Sequence, residues 1–205
     1  MVKKRNGNLL MQNALITFVK KPILGKAKTR LAATVGDEKA LEIYIKLLEH
    51  TKKVASLTPA DLHVFYAFDI VEDDMWNGDQ KHLQVEGELD AKMKDAFSKV
   101  FEMGYEKVVI IGSDCAELND EILEQAFYGL DDHDFVIGPA LDGGYYLLGM
   151  KAYSPDVFDN ITWSTETVFK STLERIGERS CATLPVLSDI DYEEDLKRVP
   201  WLLED

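Results

Sequence analysis

The sequence predicts a single α/β domain: a mostly parallel sheet with one antiparallel strand and helices on both faces. Three observations carry this. Short β-branched and aromatic runs alternate with longer amphipathic segments, the pattern of successive strand–helix–strand units. One run, Lys107–Ile111, is almost wholly apolar, as a central strand covered on both faces must be. The length of 205 residues, with 46% apolar side chains, fits one core over residues 1–205. Residues 1–13 are a candidate flexible start, with Lys3, Lys4 and Arg5 read as a solvated tail.

Taken in order, Ala14–Val19 is the first strand. Gly36-Asp37 opens a helix that places Leu41, Tyr44, Ile45 and Leu48 on one face. His63–Phe68 is the second strand, and Leu83–Val85 a short third. An amphipathic helix runs from Ala91 to Met103, followed by Lys107–Ile111. Asn119 caps the next helix, whose first turn carries Asp120 and Glu121 against the helix dipole. Phe135–Ile137 and Tyr145–Met150 flank a Gly-rich connection too short for a crossover helix, which makes this the antiparallel excursion. A helix over 165–176, a strand over 182–187 and a last helix begun by the capping-box spacing of Asp191–Glu194 complete the chain.

The charge is divided unevenly. The whole chain carries −14, which argues against nucleic acid as a partner. Residues 1–36 nevertheless hold eight Lys or Arg and no Asp or Glu, while the remainder holds 15 basic and 37 acidic residues. A basic segment on an acidic chain fits a small anionic ligand. Cys115 and Cys181 form no CxxC and no metal-ligand spacing, so free thiols in a reducing cytoplasm are expected. No His stands out as a partner that would make Cys115 a nucleophile. No run of about 18 apolar residues predicts a membrane span. Gln12, Asn13 and Lys20-Lys21-Pro22 interrupt the apolar stretch too early for a signal peptide.

Four elements can carry chemistry. Lys20–Arg30 joins the first strand to the first helix. Gly25 permits close backbone approach, and Lys20, Lys26, Lys28 and Arg30 can face phosphates, although neither P-loop nor Rossmann spacing is present. Gly112-Ser113-Asp114 ends the central strand. Ligands of open α/β sheets bind at carboxyl ends of strands, and a carboxylate there suits a divalent metal carrying phosphates; its plainer use is to cap the following turn. Asp142-Gly143-Gly144 either makes a hairpin turn or leaves room for a ligand against the backbone, and of Tyr145 and Tyr146 one is expected to reach a site. Asp191, in an acidic run from Asp189 to Asp195, is an N-cap or a second metal ligand. Trp163, before Ser164-Thr165, either stacks on a substrate ring or packs in the core.

These elements, in this order, resemble the Rossmann-like type-A glycosyltransferase fold of the nucleotide-diphospho-sugar transferases. The likeness extends to a bacterial family of unknown function, labelled as glycosyltransferases linked to radical-SAM and selenium gene clusters. It rests on Lys20-Lys-Pro-Ile-Leu-Gly-Lys-Ala-Lys-Thr-Arg-Leu31, Gly112-Ser-Asp-Cys115, Gly138-Pro-Ala140 with Asp142–Gly149, Trp163-Ser-Thr165 and Asp189-Ile-Asp191. The family pattern has Pro where Ala116 stands, and Gly and Arg where Asp90 and Lys92 stand. The resemblance implies a transferase dependent on Mg²⁺ or Mn²⁺ that uses a nucleotide-diphosphate sugar and a small-molecule acceptor. Asp114 and Asp191 would hold the metal. Lys20, Gly25, Lys28, Arg30, Gly143, Gly144 and Trp163 would bind substrate, and Asp142 would serve as base. Nucleotidyl transfer from a triphosphate to a phosphorylated acceptor, and a non-catalytic nucleotide-binding module, are the alternatives.

Overall fold

A computed structural model of the chain describes residues 12–204, together with the backbone of Lys4–Arg5 and Asn8–Leu9, which pair antiparallel. Of the flexible start expected for residues 1–13, Asn13 opens the first strand of the sheet, and residues 1–3, 6–7 and 10–11 fall outside the described residues. Seven strands form one sheet: β1 (Asn13–Val19), β2 (Asp61–Tyr66), β3 (Gln80–Leu83), β4 (Lys107–Ile111), β5 (Phe135–Pro139), β6 (Tyr145–Met150) and β7 (Cys181–Thr183). Their order is β3-β2-β1-β4-β6-β5-β7. Only β6 runs against its neighbours, paired antiparallel with both β4 and β5. The expected architecture is therefore present, and β4 occupies the predicted central place between β1 and β6.

Side-chain alternation decides which layer each strand residue joins. Leu15, Val64, Val109, Val136 and Leu147 point to one face, where they meet Tyr44, Leu48 and Ala55 of α2 (Asp37–Leu57) and Ile122, Leu123 and Phe127 of α4 (Asp120–Asp132). Ala14, Ile16, Phe65, Val108, Ile110 and Leu148 point to the other. There they meet Met93, Ala96, Phe97 and Val100 of α3 (Leu89–Glu102) and Ile176 of α5 (Val168–Ile176). A smaller third cluster joins Leu31 of α1 (Thr29–Val35) and Ile43 and Leu47 of α2 to Ile190, Leu196 and Leu202 near the C-terminus. Each fully buried aliphatic or aromatic side chain in these layers contributes about 1.5–3 kcal/mol. No helix among the described residues is long and apolar enough to cross a membrane.

Several boundaries differ from the sequence expectation, each for a physical reason. The first helix is α1, which stops at Gly36, where φ is 85°, before α2 begins; the apolar periodicity of α2 hid the shorter element. The third strand is Gln80–Leu83 rather than 83–85: pairing with β2 overrides a polar sequence of weak strand propensity. β7 is cut to three residues because Pro185 cannot extend a ladder, and the expected strand end survives only as a bridge between Ala140 and Leu187. Helix α5 starts at Val168, because the Thr165 hydroxyl is spent on the Thr162 carbonyl and the Thr167 hydroxyl. The final α-helix is instead two 3₁₀ turns, Glu193–Arg198 and Pro200–Leu203, with Pro200 barring continuation.

Gly149 is required where β6 passes under α4. A Cβ there would stand 2.7 Å from Val136 Cγ1 and 2.9 Å from Val109 Cγ2, both β-branched and fixed in the sheet. Gly149→Ala is expected to lower stability by about 1–3 kcal/mol through overpacking. Urea unfolding should show a reduced midpoint with an unchanged slope.

Candidate active site

A cleft of about 780 Å³ opens over the carboxyl ends of β1, β2 and β4 and the start of β6. The Lys20–Arg30 loop forms its basic wall. Within that loop Gly25 takes φ 72° and Lys28 takes φ 48°, ψ 50°, a left-handed conformation that a non-glycine residue adopts at a cost of about 1–2 kcal/mol. The turn is tightened by Lys26 and Ala27 amides donating to the Ile23 carbonyl. Tyr44 of α2 holds the start of the loop: its hydroxyl accepts from the Lys20 N–H at 2.9 Å and donates to the Lys20 carbonyl at 3.0 Å.

The acidic wall is built from distant segments. The Ile190 N–H donates to the Asp114 carbonyl at 3.0 Å, the Leu187 N–H to the Pro139 carbonyl, and the Leu141 N–H to the Leu187 carbonyl. These bonds lay residues 187–191 against the end of β4 and the β5–β6 hairpin, so Asp189 and Asp191 arrive beside Asp114. The Asp191 and Tyr192 amides both donate to Asp195 Oδ2, at 3.0 and 2.8 Å. Asp195 therefore caps the terminal 3₁₀ turn, and the N-cap role expected of Asp191 is corrected. Its carboxylate turns to the basic loop instead.

The two walls meet at Lys28. Its Nζ lies 3.1 Å from Asp114 Oδ1 and 3.4 Å from Asp191 Oδ1, and Arg30 Nη1 lies 3.0 Å from Asp191 Oδ2. Only 6% of the Lys28 side chain is exposed, against 45% for Asp114 and 35% for Asp191. Burial alone would depress the Lys28 ammonium, but Asp114, Asp191 and Asp189 outweigh it and hold it above its ordinary value. The half-buried Asp189 behaves in the opposite way. Burial, then repulsion from Asp114, Asp142 and Asp191 against attraction to Lys28, pushes its carboxyl up to about 7.

Of the residues expected in a site, Lys20, Lys28, Arg30, Asp114 and Asp191 line the cleft. Gly25, Asp142, Gly143, Gly144 and Trp163 do not. The Asp142 Oδ1 accepts from the Gly144 N–H at 2.8 Å, which makes it a turn residue, although it lies close enough to act on Asp189. Gly143 has a packing reason: a Cβ would fall 2.2 Å from the Glu166 carbonyl oxygen. Trp163 packs on the α3–α5 side and meets Tyr145 edge-on at 6.4 Å. Both Tyr145 and Tyr146 reach the cleft rather than one, because it spans the end of the strand; their hydroxyls donate to Met93 Sδ and the Pro185 carbonyl. The opposite wall is formed by Gln84, Leu89 and Met93 of the segment that the resemblance places on the nucleotide side, with Lys92 from α3, and by Phe18 and Phe68, which were not foreseen. Asp90 pairs with Lys94 at 3.8 Å and is not part of the lining, so the cleft keeps a cation at the position where the resemblance has Arg. Burial lifts the Cys115 thiol to about 12, which leaves it inert as a nucleophile.

The donor set fits a small hard cation that arrives with phosphates. Asp114 and Asp191 converge on one point, and a lysine ammonium already stands there. Among the described residues no group of three or more His, Cys, Asp or Glu could hold a metal by itself. Mg²⁺ is commonly held by one or two carboxylates, with substrate phosphates and water completing its shell.

Residues 50–165 match the family DUF2064, described as an uncharacterized protein conserved in bacteria. The structure superposes with a TM-score of 0.82 on a Desulfovibrio desulfuricans G20 protein named as a nucleotide-diphospho-sugar transferase. The two are 34% identical over 89% of this chain and 84% of that one. The chain belongs to this family. It is a transferase within a nucleotide-diphospho-sugar transferase-like family. More distant structures share the fold. Rv0371C of Mycobacterium tuberculosis H37Rv, solved in complex with manganese, has TM-score 0.56 and 13% identity over 94% of this chain and 98% of that one. The inositol-1-phosphate CTP transferase of T. maritima has TM-score 0.53 and 13% identity, over 94% and 95%. No curated protein matches the chain.

The acidic cluster makes a pH signature. Asp189 has a folded pKa raised to about 7 and ionises near its ordinary value of about 3.9 once unfolded. The folded state therefore holds its proton more tightly. The contribution to stability is complete below about pH 4, declines as pH rises toward about 7, and is gone above it. In metal-free buffer, Asp189→Asn should gain stability relative to wild type across that window and keep a constant advantage above it. Chemical denaturation of both proteins at several pH values measures the difference.

Proposed function

We propose that the cleft binds a nucleotide-diphosphate sugar with Mg²⁺ or Mn²⁺ and transfers the sugar to a small-molecule acceptor. The observation that carries this is the convergence of Asp114 and Asp191 on one cation position at the carboxyl end of a buried strand. Lys20, Lys26, Lys28, Arg30 and Lys92 line the same cleft. When bound, the metal would neutralise charge developing on the diphosphate leaving group. Asp114 and Asp191 would hold it, while Lys28 and Arg30 would pair with phosphate oxygens. The mixed wall of Phe18, Phe68, Gln84 and Met93 would receive the base. Asp142 lies outside the cleft lining with Oδ1 engaged by its own turn, so a role as base would fall to Oδ2 on an acceptor that extends beyond the cleft. Asp189, beside Asp142, would keep a proton near neutral pH and reduce the repulsion within the cluster.

Five cations in one cleft also suit a triphosphate, so nucleotidyl transfer onto a phosphorylated acceptor is the second reading. The products decide between them: nucleoside diphosphate from a nucleotide sugar, or pyrophosphate from a triphosphate.

A thermal-shift screen of nucleoside triphosphates and nucleotide sugars, with and without Mn²⁺, tests the proposal. A true ligand at 100 times its dissociation constant should stabilise the fold by about 2.7 kcal/mol. Asp114→Asn should abolish the metal-dependent part of that binding and leave the fold intact. Lys92→Ala and Arg30→Ala should each weaken binding and reduce its salt dependence in calorimetric titrations at two ionic strengths. Unchanged metal-dependent affinity in Asp114→Asn would sink the metal assignment.

A further inference from the structure

The ammonium of Lys28 occupies the position that the metal needs. Its side chain is the most buried of the four that share these ion pairs, its backbone is held left-handed, and it bonds both carboxylates at once. A divalent ion cannot take Asp114 and Asp191 together while that ammonium stands between them. Withdrawing Lys28 without compensation would expose two neighbouring carboxylates to each other and to half-buried Asp189. Phosphate oxygens in the cleft would supply that compensation, because they offer Lys28 a new anionic partner.

We propose that Lys28 is a resident counter-cation that keeps the Asp114–Asp191 pair closed to a divalent metal until nucleotide phosphates draw its ammonium away, so that metal enters with or after the nucleotide. This rests on the metal-and-nucleotide function given above and adds an order of binding to it. If the open arrangement is populated at the level of a few per cent without ligand, apparent metal affinity falls in proportion, by about tenfold or more. Phosphate binding by Lys28 then does two things: it holds the nucleotide and uncovers the metal ligands.

The test uses Mn²⁺ alone, followed by the electron paramagnetic resonance signal of the free ion, with the full chain and no nucleotide. Lys28→Met should bind Mn²⁺ about tenfold or more tightly than wild type. Lys28→Gln should show a similar gain, Lys28→Arg should stay near wild type, and adding Asp114→Asn to Lys28→Met should remove the gain. Circular dichroism checks that each variant is folded. Arg30→Gln removes a positive charge from the same site but not from between the two carboxylates, and should give no comparable gain. If wild type and both neutral Lys28 variants bind Mn²⁺ equally and through Asp114, the role of Lys28 is overturned and the metal site stands. An equal gain in Arg30→Gln overturns it too, since the effect would then be general electrostatics. Absence of Asp114-dependent binding in every background overturns the inference and the metal site together.

Discussion

One ammonium shared by two carboxylates is the interaction on which the site depends. Asp114 is placed by the central strand and Asp191 by a segment almost 80 residues later in the chain. Three backbone hydrogen bonds, Ile190 to Asp114, Leu187 to Pro139 and Leu141 to Leu187, stitch that segment to the sheet and leave the acids no freedom to separate. Bringing like charges together at a half-buried position opposes folding unless a cation stands between them. Lys28 supplies it from the opposite wall, so one electrostatic contact draws the basic loop onto the strand end and the C-terminal segment.

The sheet around this contact explains why it forms where it does. The parallel strands β1, β2 and β4 all end at the cleft. Antiparallel β6 begins there, so Tyr145 and Tyr146 enter from the start of a strand rather than its end. The two faces are sealed by separate apolar layers, which leaves the edge over the strand ends as the open side. The division of charge along the chain follows the same geometry: the acid-free N-terminal segment crosses the mouth of a cleft whose other polar groups come from the acid-rich remainder.

What could be read from the sequence was what local pattern encodes. The buried run before Gly112-Ser113-Asp114 marked a central strand, and the short connection before Tyr145 marked the antiparallel excursion. Asn119 caps α4 as expected, its side chain accepting from the Ile122 N–H. What stayed hidden depends on distant contacts. The capping-box spacing at Asp191–Glu194 was real as a pattern, but the register slipped by one, to Tyr192 and Asp195. Lys28 and Arg30 claimed the Asp191 carboxylate, and no local window contains that competition. The apolar wall of Phe18, Phe68, Leu89 and Met93 was not legible as a unit, because Leu89 and Met93 share helical spacing on α3 but Phe18 and Phe68 come from the ends of two other elements. Lys92 was visible only as a departure from the family pattern; the structure turns it into the cation that the pattern calls for.

The glycine of the β5–β6 hairpin has a mechanical meaning. Gly143 is wedged against the Glu166 carbonyl, with its own carbonyl accepting from the Phe169 N–H at 2.8 Å, so the hairpin is braced from behind by the entry to α5. The Lys20–Arg30 loop has no such backing: Lys20–Lys26 are exposed and its start is tied to the Tyr44 hydroxyl. Ordering on binding is thus expected to fall mainly on the exposed basic loop.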